Sequence, residues 1–352
     1  MKRALLVVAA LVLGPFWGGL ANGLIEVHYY PAWINHWEDA GPLVAKYLGF
    51  YEEVGLDVTI FPGGPDLNPL VRMLNDRTIA FATSYNWLVL IARIEQGVPF
   101  KVIATDFQDP ALHLVSWIPI KEPADLAGKI IEVWPGYEHP LLCFLGKDRY
   151  YYPVYGGSPG RNKAIIQNQG ASMERFLAKQ VDASHAMVYN ELLTVIHALG
   201  FKTLKEFWLS EDKPFYVYRF EELDPDLAWD ENSLVTTEII LKEHPEVVRK
   251  FVMATYKGWQ WVLRADPEEV FQILLTFNDA LDKEHEIEGG MEINKLLVNL
   301  NTRKYGLGYI DPEPWQKMAE RLYLAGFLSR MPTYQEIIQA YQWIPSGIFP
   351  PE

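Results

Sequence analysis

The chain has 352 residues, with 31 Lys plus Arg against 45 Asp plus Glu, a net charge of −14 and one cysteine. That balance lacks the basic footprint a nucleic-acid partner demands, and a lone cysteine forms neither an internal bridge nor a paired-cysteine metal site. Hydrophobic residues make up 49% of the chain, and a prior of ~150 residues per domain gives it material for two folding units with large cores.

Lys2 and Arg3 followed by the apolar run Ala4 to Leu13 read as an export signal, with Ala21-Asn22-Gly23 offering small residues for cleavage. Residues 1–23 are therefore expected to be a signal peptide. The run is too short to span ~30 Å of hydrocarbon, and no Cys follows it to carry a lipid anchor. Leu24 to Tyr30 alternates as a first strand, and Pro31 to Asp39 is an aromatic loop. Ala40 to Phe50 has helical spacing, closed by Gly49. Strands at Leu56–Phe61, Thr78–Thr83 and Phe100–Thr105 alternate with helices at Leu67–Asn75 and Trp87–Gln96. This is the pattern of a parallel sheet covered on both faces.

The pattern restarts near residue 115. Val115–Pro119 reads as a crossover strand and Pro123–Lys129 as a short helix and turn. Strands follow at Ile130–Trp134, Lys163–Gln167 and Ala183–Val188, with helices at Leu141–Gly146, Ser172–Lys179 and Glu191–Leu199. From Thr236 onward the spacing is helical: Thr236–Lys242, Glu246–Leu263, Pro267–Leu275, Glu292–Asn301, Pro314–Leu324 and Thr333–Ala340. Such a helical third does not bury itself easily and is expected to pack back on the first unit. Lobe I is thus expected to be discontinuous, 24–114 and 216–352, with lobe II at 115–215.

No catalytic constellation stands out. There is neither a phosphate-loop nor a dinucleotide glycine signature. Gly156-Gly157-Ser158-Pro159-Gly160 matches GxSxG in letters only, because Pro159-Gly160 and a strand-like run follow where a nucleophile elbow needs a helix. The eight histidines show no metal-binding spacing. Cys143, in an apolar stretch, reads as a buried small hydrophobe. No cofactor, metal or enzymatic activity is expected.

In open α/β sheets ligands sit outside the carboxyl ends of the strands. There this chain places Trp33, Asn35, His36 and Trp37, then Tyr85 and Asn86, Phe107, Trp134, and finally Tyr189, Asn190 and Glu191. Flat aromatics stack on a planar ring, while amides and carboxylates read its edge. Each aromatic alone is as well explained by covering the core. Ser84, Asn86 and Glu191 also suit helix N-termini, and His36 suits a structural hydrogen bond. Five aromatic loops on one edge are harder to account for by packing alone. A carboxylate facing such a cleft favours a ligand with N–H donors, such as an amino-substituted heterocycle.

Tyr30-Pro31, Asn35-His36 and Pro42-Leu43-Val44-Ala45-Lys46-Tyr47-Leu48-Gly49-Phe50-Tyr51-Glu52-Glu53-Val54-Gly55-Leu56-Asp57-Val58 resemble the opening of a group of ABC-importer substrate-binding proteins. The group is the one related to the fungal thiamine-pyrimidine synthases. Pro123-Ala124-Asp125-Leu126-Ala127-Gly128-Lys129, Val181-Asp182-Ala183 and Met187-Val188-Tyr189-Asn190-Glu191 resemble later family segments, and Thr237-Glu238 through Pro245 and Lys257-Gly258-Trp259 resemble its C-terminal helices. The resemblance implies a two-lobed type II periplasmic-binding fold with two crossover segments, a helical C-terminal extension and a ligand trapped by hinge closure. By motif it implies ligand contacts at Asn35, His36, Tyr189 and Glu191. Trp33, Trp37, Tyr85, Asn86, Phe107, Trp134 and Asn190 rest on their position at strand ends. The synthase branch carries a Cys-rich motif, and this chain has only Cys143.

The expectation is a periplasmic or secreted solute-binding protein, acting as a monomer with an ABC permease and ATPase. A pyrimidine of thiamine salvage is the first ligand expected and a riboflavin-like ring the next. The alternatives are an alkanesulfonate or taurine binder and a pyrimidine-synthase-like enzyme using His36, the latter disfavoured by the single Cys.

Overall fold

A computed structural model describes residues 20–21, 23–153, 160, 162–170, 172–338 and 348–351. Apart from Leu20–Ala21 and Gly23, the expected signal lies outside the described residues, as does the Gly156–Gly160 turn apart from Gly160. The strands are β1 (Leu20–Ala21), β2 (Leu24–Tyr30), β3 (Leu56–Ile60), β4 (Ile79–Tyr85), β5 (Phe100–Thr105), β6 (Leu112–Ser116), β7 (Ile130–Val133), β8 (Tyr150–Tyr151), β9 (Ala164–Asn168), β10 (Ala183–Met187), β11 (Tyr216–Arg219) and β12 (Asn232–Thr237). Among the described residues they form two six-stranded sheets. One runs β1-β2-β4-β12-β5, with β3 on the outer side of β2, and the other runs β11-β6-β10-β7-β9-β8.

Every residue of β4, β5 and β12 is buried, as expected of central strands covered on both faces. Sheet one is not wholly parallel: β2 pairs in parallel with β3 and β4, whereas β12 runs antiparallel between β4 and β5. In sheet two, β6 runs antiparallel to both β10 and β11, while β7, β8, β9 and β10 are parallel.

The helices are α1 (Ala40–Tyr47), α2 (Phe50–Glu53), α3 (Pro69–Asn75), α4 (Asn86–Gln96), α5 (His139–Leu145), α6 (Glu174–Leu177), α7 (Glu191–Ala198), α8 (Leu204–Leu209), α9 (Phe220–Leu223), α10 (Glu238–Glu243), α11 (Pro245–Val262), α12 (Pro267–Leu275), α13 (Lys283–Leu296), α14 (Leu300–Tyr305), α15 (Pro312–Leu324) and α16 (Tyr334–Ile337). Their starts follow from capping chemistry. Asn68, Thr237, Asp266, Asp282 and Asp311 each accept a first-turn backbone N–H. Gly97 ends α4 in the left-handed conformation at φ 70°.

The C-terminal helices cover the first unit. α11 lies against α1 so closely that a Cβ on Gly258 would stand 2.0 Å from the Gly41 carbonyl oxygen. α13 touches both units: Glu286 accepts the Trp37 backbone N–H at 2.5 Å, and Glu288 accepts the Leu204 N–H at 2.7 Å.

Four expectations need correction. Val115–Pro119 is not a bridging strand, since β6 lies wholly in sheet two, and the chain passes between the sheets at 106–111 and again at 220–231. Residues 112–114 and 216–219 therefore belong with the second sheet, a few residues away from the expected borders. The helical spacing expected from Thr236 hides β12, whose partners β4 and β5 are supplied by residues more than a hundred positions earlier. The helix expected at Glu292–Asn301 is instead the end of α13, a break, and the start of α14, with Asn299 capping the latter.

The two passages run side by side. The Asp106 N–H donates to the Asn232 carbonyl at 2.7 Å, and the Glu231 carboxyl accepts the N–H groups of Ala111 and Leu112 at 2.7 and 3.0 Å. No described helix is long and apolar enough to cross a membrane.

Candidate functional site

Four connections at the carboxyl ends of strands converge between the sheets: 31–39 after β2, the junction of β4 with α4, 134–138 after β7, and 188–190 after β10. They enclose an inner chamber of about 40 Å³, lined by Trp33, His36, Glu38, Tyr85, Trp134, Tyr137, Met187, Tyr189, Asn190 and Glu191. That is the space of about three water molecules. Trp33, Tyr85, Trp134 and Tyr137 also line an outer vestibule of about 600 Å³, whose remaining walls include Asp66, Asn68, Ser84, Asn168 and Gln169.

The cleft is shut. Rings of the two units meet across it as Trp33 with Trp134 (5.7 Å between centroids), Tyr85 with Tyr137 (4.1 Å) and His36 with Tyr189 (6.1 Å). The Trp87 indole N–H also donates across it to the Gly136 carbonyl at 2.9 Å.

Seven of the expected residues line the chamber: Trp33, His36, Tyr85, Trp134, Tyr189, Asn190 and Glu191. The other four do not. Asn35 is buried outside the chamber lining, and its backbone carbonyl accepts from Asn278 Nδ2 of the α12–α13 loop at 3.0 Å. Trp37 packs on α13, its indole N–H donating to Asn294 Oδ1 at 3.2 Å and its ring filling the space left by Gly290. Asn86 donates from Nδ2 to the Asp230 carbonyl at 2.8 Å, fixing the start of α4 to the second passage. Phe107 is fully buried and supports Tyr189 edge-on at 6.0 Å. All four are aromatic or amide residues near strand ends, so sequence position alone did not separate wall from support.

Glu38, Tyr137 and Met187 were not among the candidates. Tyr137 shares a loop with Trp134. Glu38 sits two residues past His36, in a short 3₁₀ turn over Trp37–Asp39. Only that turn decides which of its three residues points inward.

Two carboxyl groups stand in the chamber wall, Glu38 at 4% exposure and Glu191 at 6%. Glu38 Oε1 accepts from Asn232 Nδ2 at 2.8 Å and lies 3.5 Å from the Tyr85 hydroxyl; its Oε2 accepts from His36 Nε2 at 3.2 Å. Glu191 accepts three donors: Trp134 Nε1 at 3.0 Å and Asn190 Nδ2 at 3.2 Å on one oxygen, and the Met187 backbone N–H at 2.9 Å on the other.

Burial pushes the Glu191 carboxyl up, and these hydrogen bonds oppose it. Burial disfavours the His36 cation too, but the hydrogen bond to Glu38 and the charges of Glu286, Glu38 and Asp39 outweigh it and lift the imidazole to about 9. That favours the cation at neutral pH, with Nε2 donating to Glu38 and Nδ1 3.7 Å from Glu286 Oε1. Burial raises the phenols of Tyr85, Tyr137 and Tyr189 well above their usual value, so they stay neutral. No lysine or arginine lines the chamber or vestibule among the described residues. No cluster of three or more His, Cys, Asp or Glu there could hold a metal ion. His36 is thus the one cationic side chain of the described walls, and Glu38 and Glu286 stand against its two nitrogens.

Residues 36–270 match the family described as NMT1/THI5 like. The chain is 26% identical over 313 residues to the riboflavin-binding protein RibY of Chloroflexus aurantiacus, covering 87% of this chain and 82% of that one. It is 25% identical over 287 residues to the formylaminopyrimidine-binding protein of Halalkalibacterium halodurans, covering 78% of each. In fold it is similar to the periplasmic aliphatic sulphonate binding protein SsuA of Escherichia coli. The TM-score there is 0.58 at 13% identity, over 92% of this chain and 94% of that one.

Proposed function

We propose, from the premise that the chain belongs to the NMT1/THI5-like family, that it is the solute-binding protein of an ABC importer and that its solute is a planar heterocycle with N–H groups at one edge. It works outside the cytoplasm, hands its ligand to a permease driven by an ATPase, and makes or breaks no bond. The two relatives named for riboflavin and formylaminopyrimidine binding support this class of ligand.

The observation that carries the reading is the shut cleft itself. Aromatic rings from both units face a vestibule of about 600 Å³, within the roughly 300–1,000 Å³ usual for small-molecule sites. Beyond them lies a chamber walled by carboxyl groups. A fused ring of the riboflavin kind, with its hydroxylated arm among the neutral polar groups of the vestibule, uses both spaces. A single aminopyrimidine ring is the second reading, supported by the small size of the inner chamber and its two carboxyl groups. A sulfonate is disfavoured because no lysine or arginine stands in the described walls and the one cationic side chain there, His36, is already paired with Glu38 and Glu286.

The test is titration of the protein with riboflavin, formylaminopyrimidine and a short alkanesulfonate, followed by tryptophan fluorescence and melting temperature. A ligand at a hundred times its Kd adds about 2.7 kcal/mol of stability. The reading expects quenching and a raised melting point with riboflavin, or with the aminopyrimidine under the second reading, and none with the sulfonate. A response to the sulfonate alone overturns it.

A further inference from the structure

We propose that Glu38 is the residue that accepts the edge N–H of the bound ring, with Asn232 and His36 as its positioning residues, while Glu191 shapes the wall without meeting that edge. The inference rests on the functional reading above and deepens it.

The two carboxyl groups differ in how their oxygens are used. Glu191 already takes three donors at 2.9 to 3.2 Å, one of them the Trp134 indole N–H. Its carboxyl thereby fixes the ring of Trp134, the orientation of Asn190 and the end of β10. A carboxylate has about four acceptor sites, so little of Glu191 is left for a ligand, and any ligand pull on it would disturb the ring it holds. Glu38 has two short donors, Asn232 Nδ2 at 2.8 Å and His36 Nε2 at 3.2 Å. Its contact with the Tyr85 hydroxyl is stretched to 3.5 Å, beyond the usual range for such a bond. A ring N–H reaching Glu38 in the chamber beside Tyr85 would take up that unused capacity with a charge-assisted hydrogen bond.

The anchoring is firm. Asn232 is fully buried at the start of β12, and its own carbonyl accepts the Asp106 N–H at 2.7 Å, so Glu38 is tied to the point where the two inter-sheet passages touch. His36 is held in turn beside Glu286 of α13, with 3.7 Å between Nδ1 and Oε1. Glu38 therefore faces the cleft with its position fixed and an acceptor site open. It selects imide, lactam or amino N–H groups and rejects an edge of bare acceptors or an anionic oxygen.

The experiment measures dissociation constants for two probe pairs, riboflavin with its N3-methyl derivative and formylaminopyrimidine with its N,N-dimethylamino analogue. Each pair is run against the wild type, Glu38→Gln and Glu191→Gln. The wild type should prefer the N–H member of the pair it binds by at least tenfold. E38Q should lose at least tenfold toward that member and less than threefold toward the methylated one, so the preference collapses. E191Q should weaken both members alike, through Trp134, and keep the preference. Should E38Q not fold by circular dichroism, Glu38→Asp, which keeps the charge on a shorter arm, should show the same selective loss. Equal weakening of both members by the Glu38 variant, or a selective loss in E191Q, overturns the assignment and leaves the functional reading standing. A wild type that binds neither pair overturns both.

Discussion

Gly289 offers a sharp test of how the C-terminal helices shape the chamber. It lies on α13 where the helix backs onto the end of β10, and a Cβ built there stands 2.3 Å from the carbonyl oxygen of Tyr189 and 3.6 Å from Leu193 Cδ1. Carbon and oxygen approach comfortably to about 3.3 Å, so Gly289→Ala requires α13 or the Tyr189 carbonyl to yield by about 1 Å. In a helix interior, alanine itself gains about 1 kcal/mol over glycine, while overpacking of this kind costs about 1–3 kcal/mol. The two nearly offset, and the net loss of stability should be no more than about 2 kcal/mol.

Binding has no such offset. Tyr189, Asn190 and Glu191 are consecutive chamber residues, and a site loses its complementarity when its groups move by more than about 0.5 Å. Affinity for riboflavin, or for formylaminopyrimidine if that is the ligand, should fall at least tenfold. Gly258→Ala is the control. Its Cβ would meet the Gly41 carbonyl at 2.0 Å between α1 and α11, two helices that contribute no residue to the chamber lining. It should lower stability and leave affinity within twofold. Urea unfolding and fluorescence titration of both variants decide the matter. An unchanged affinity in G289A, or equal affinity losses in the two, refutes the packing argument.

Three further predictions concern the same core. Burial raises the carboxyls of Glu231, to about 8, and Asp106, to about 7, against the hydrogen bonds each accepts. Both keep their protons longer in the fold than in the unfolded chain, so their contribution is full below about pH 4 and is lost as the pH rises through 7 and 8; His36, raised to about 9, acts with the same sign. The melting temperature should fall between pH 6 and pH 9, and Glu231→Gln should flatten that slope; an identical slope in the variant refutes the assignment. Trp134→Phe removes the indole N–H that Glu191 accepts and should cost about 1–3 kcal/mol in urea unfolding, with weaker ligand binding; a stability within 0.5 kcal/mol of wild type, by rough bounds on surface changes, contradicts it. Burial lifts the Cys143 thiol to about 12, so a thiol reagent at pH 8 should label the native protein only at the rate of unfolding and label it at once in guanidinium; fast native labelling contradicts the buried placement.

The sequence alone determined the local layer. Strands with β-branched and aromatic runs, helices opened by Asn, Thr and Asp caps, and the rings gathered at strand ends depend on neighbours within a few residues. Hence β5 and α12 fall where the spacing put them, and seven chamber residues were legible. What depended on distant partners was not. The run Asn232-Ser233-Leu234-Val235 carries no strong strand signal of its own, and becomes the central β12 only because β4 and β5 offer it an edge on each side.

The same holds within the site. Glu38 and Trp37 are adjacent in one turn, yet one faces the chamber and the other packs on α13. The choice is made by Asn232, the Gly290 surface and Asn294, which lie between 194 and 257 residues away. Sequence supplied the chemical vocabulary of the cleft. Only the tertiary structure decided which donors each carboxyl group holds, since Trp134 and Asn232 reach Glu191 and Glu38 from distant parts of the chain.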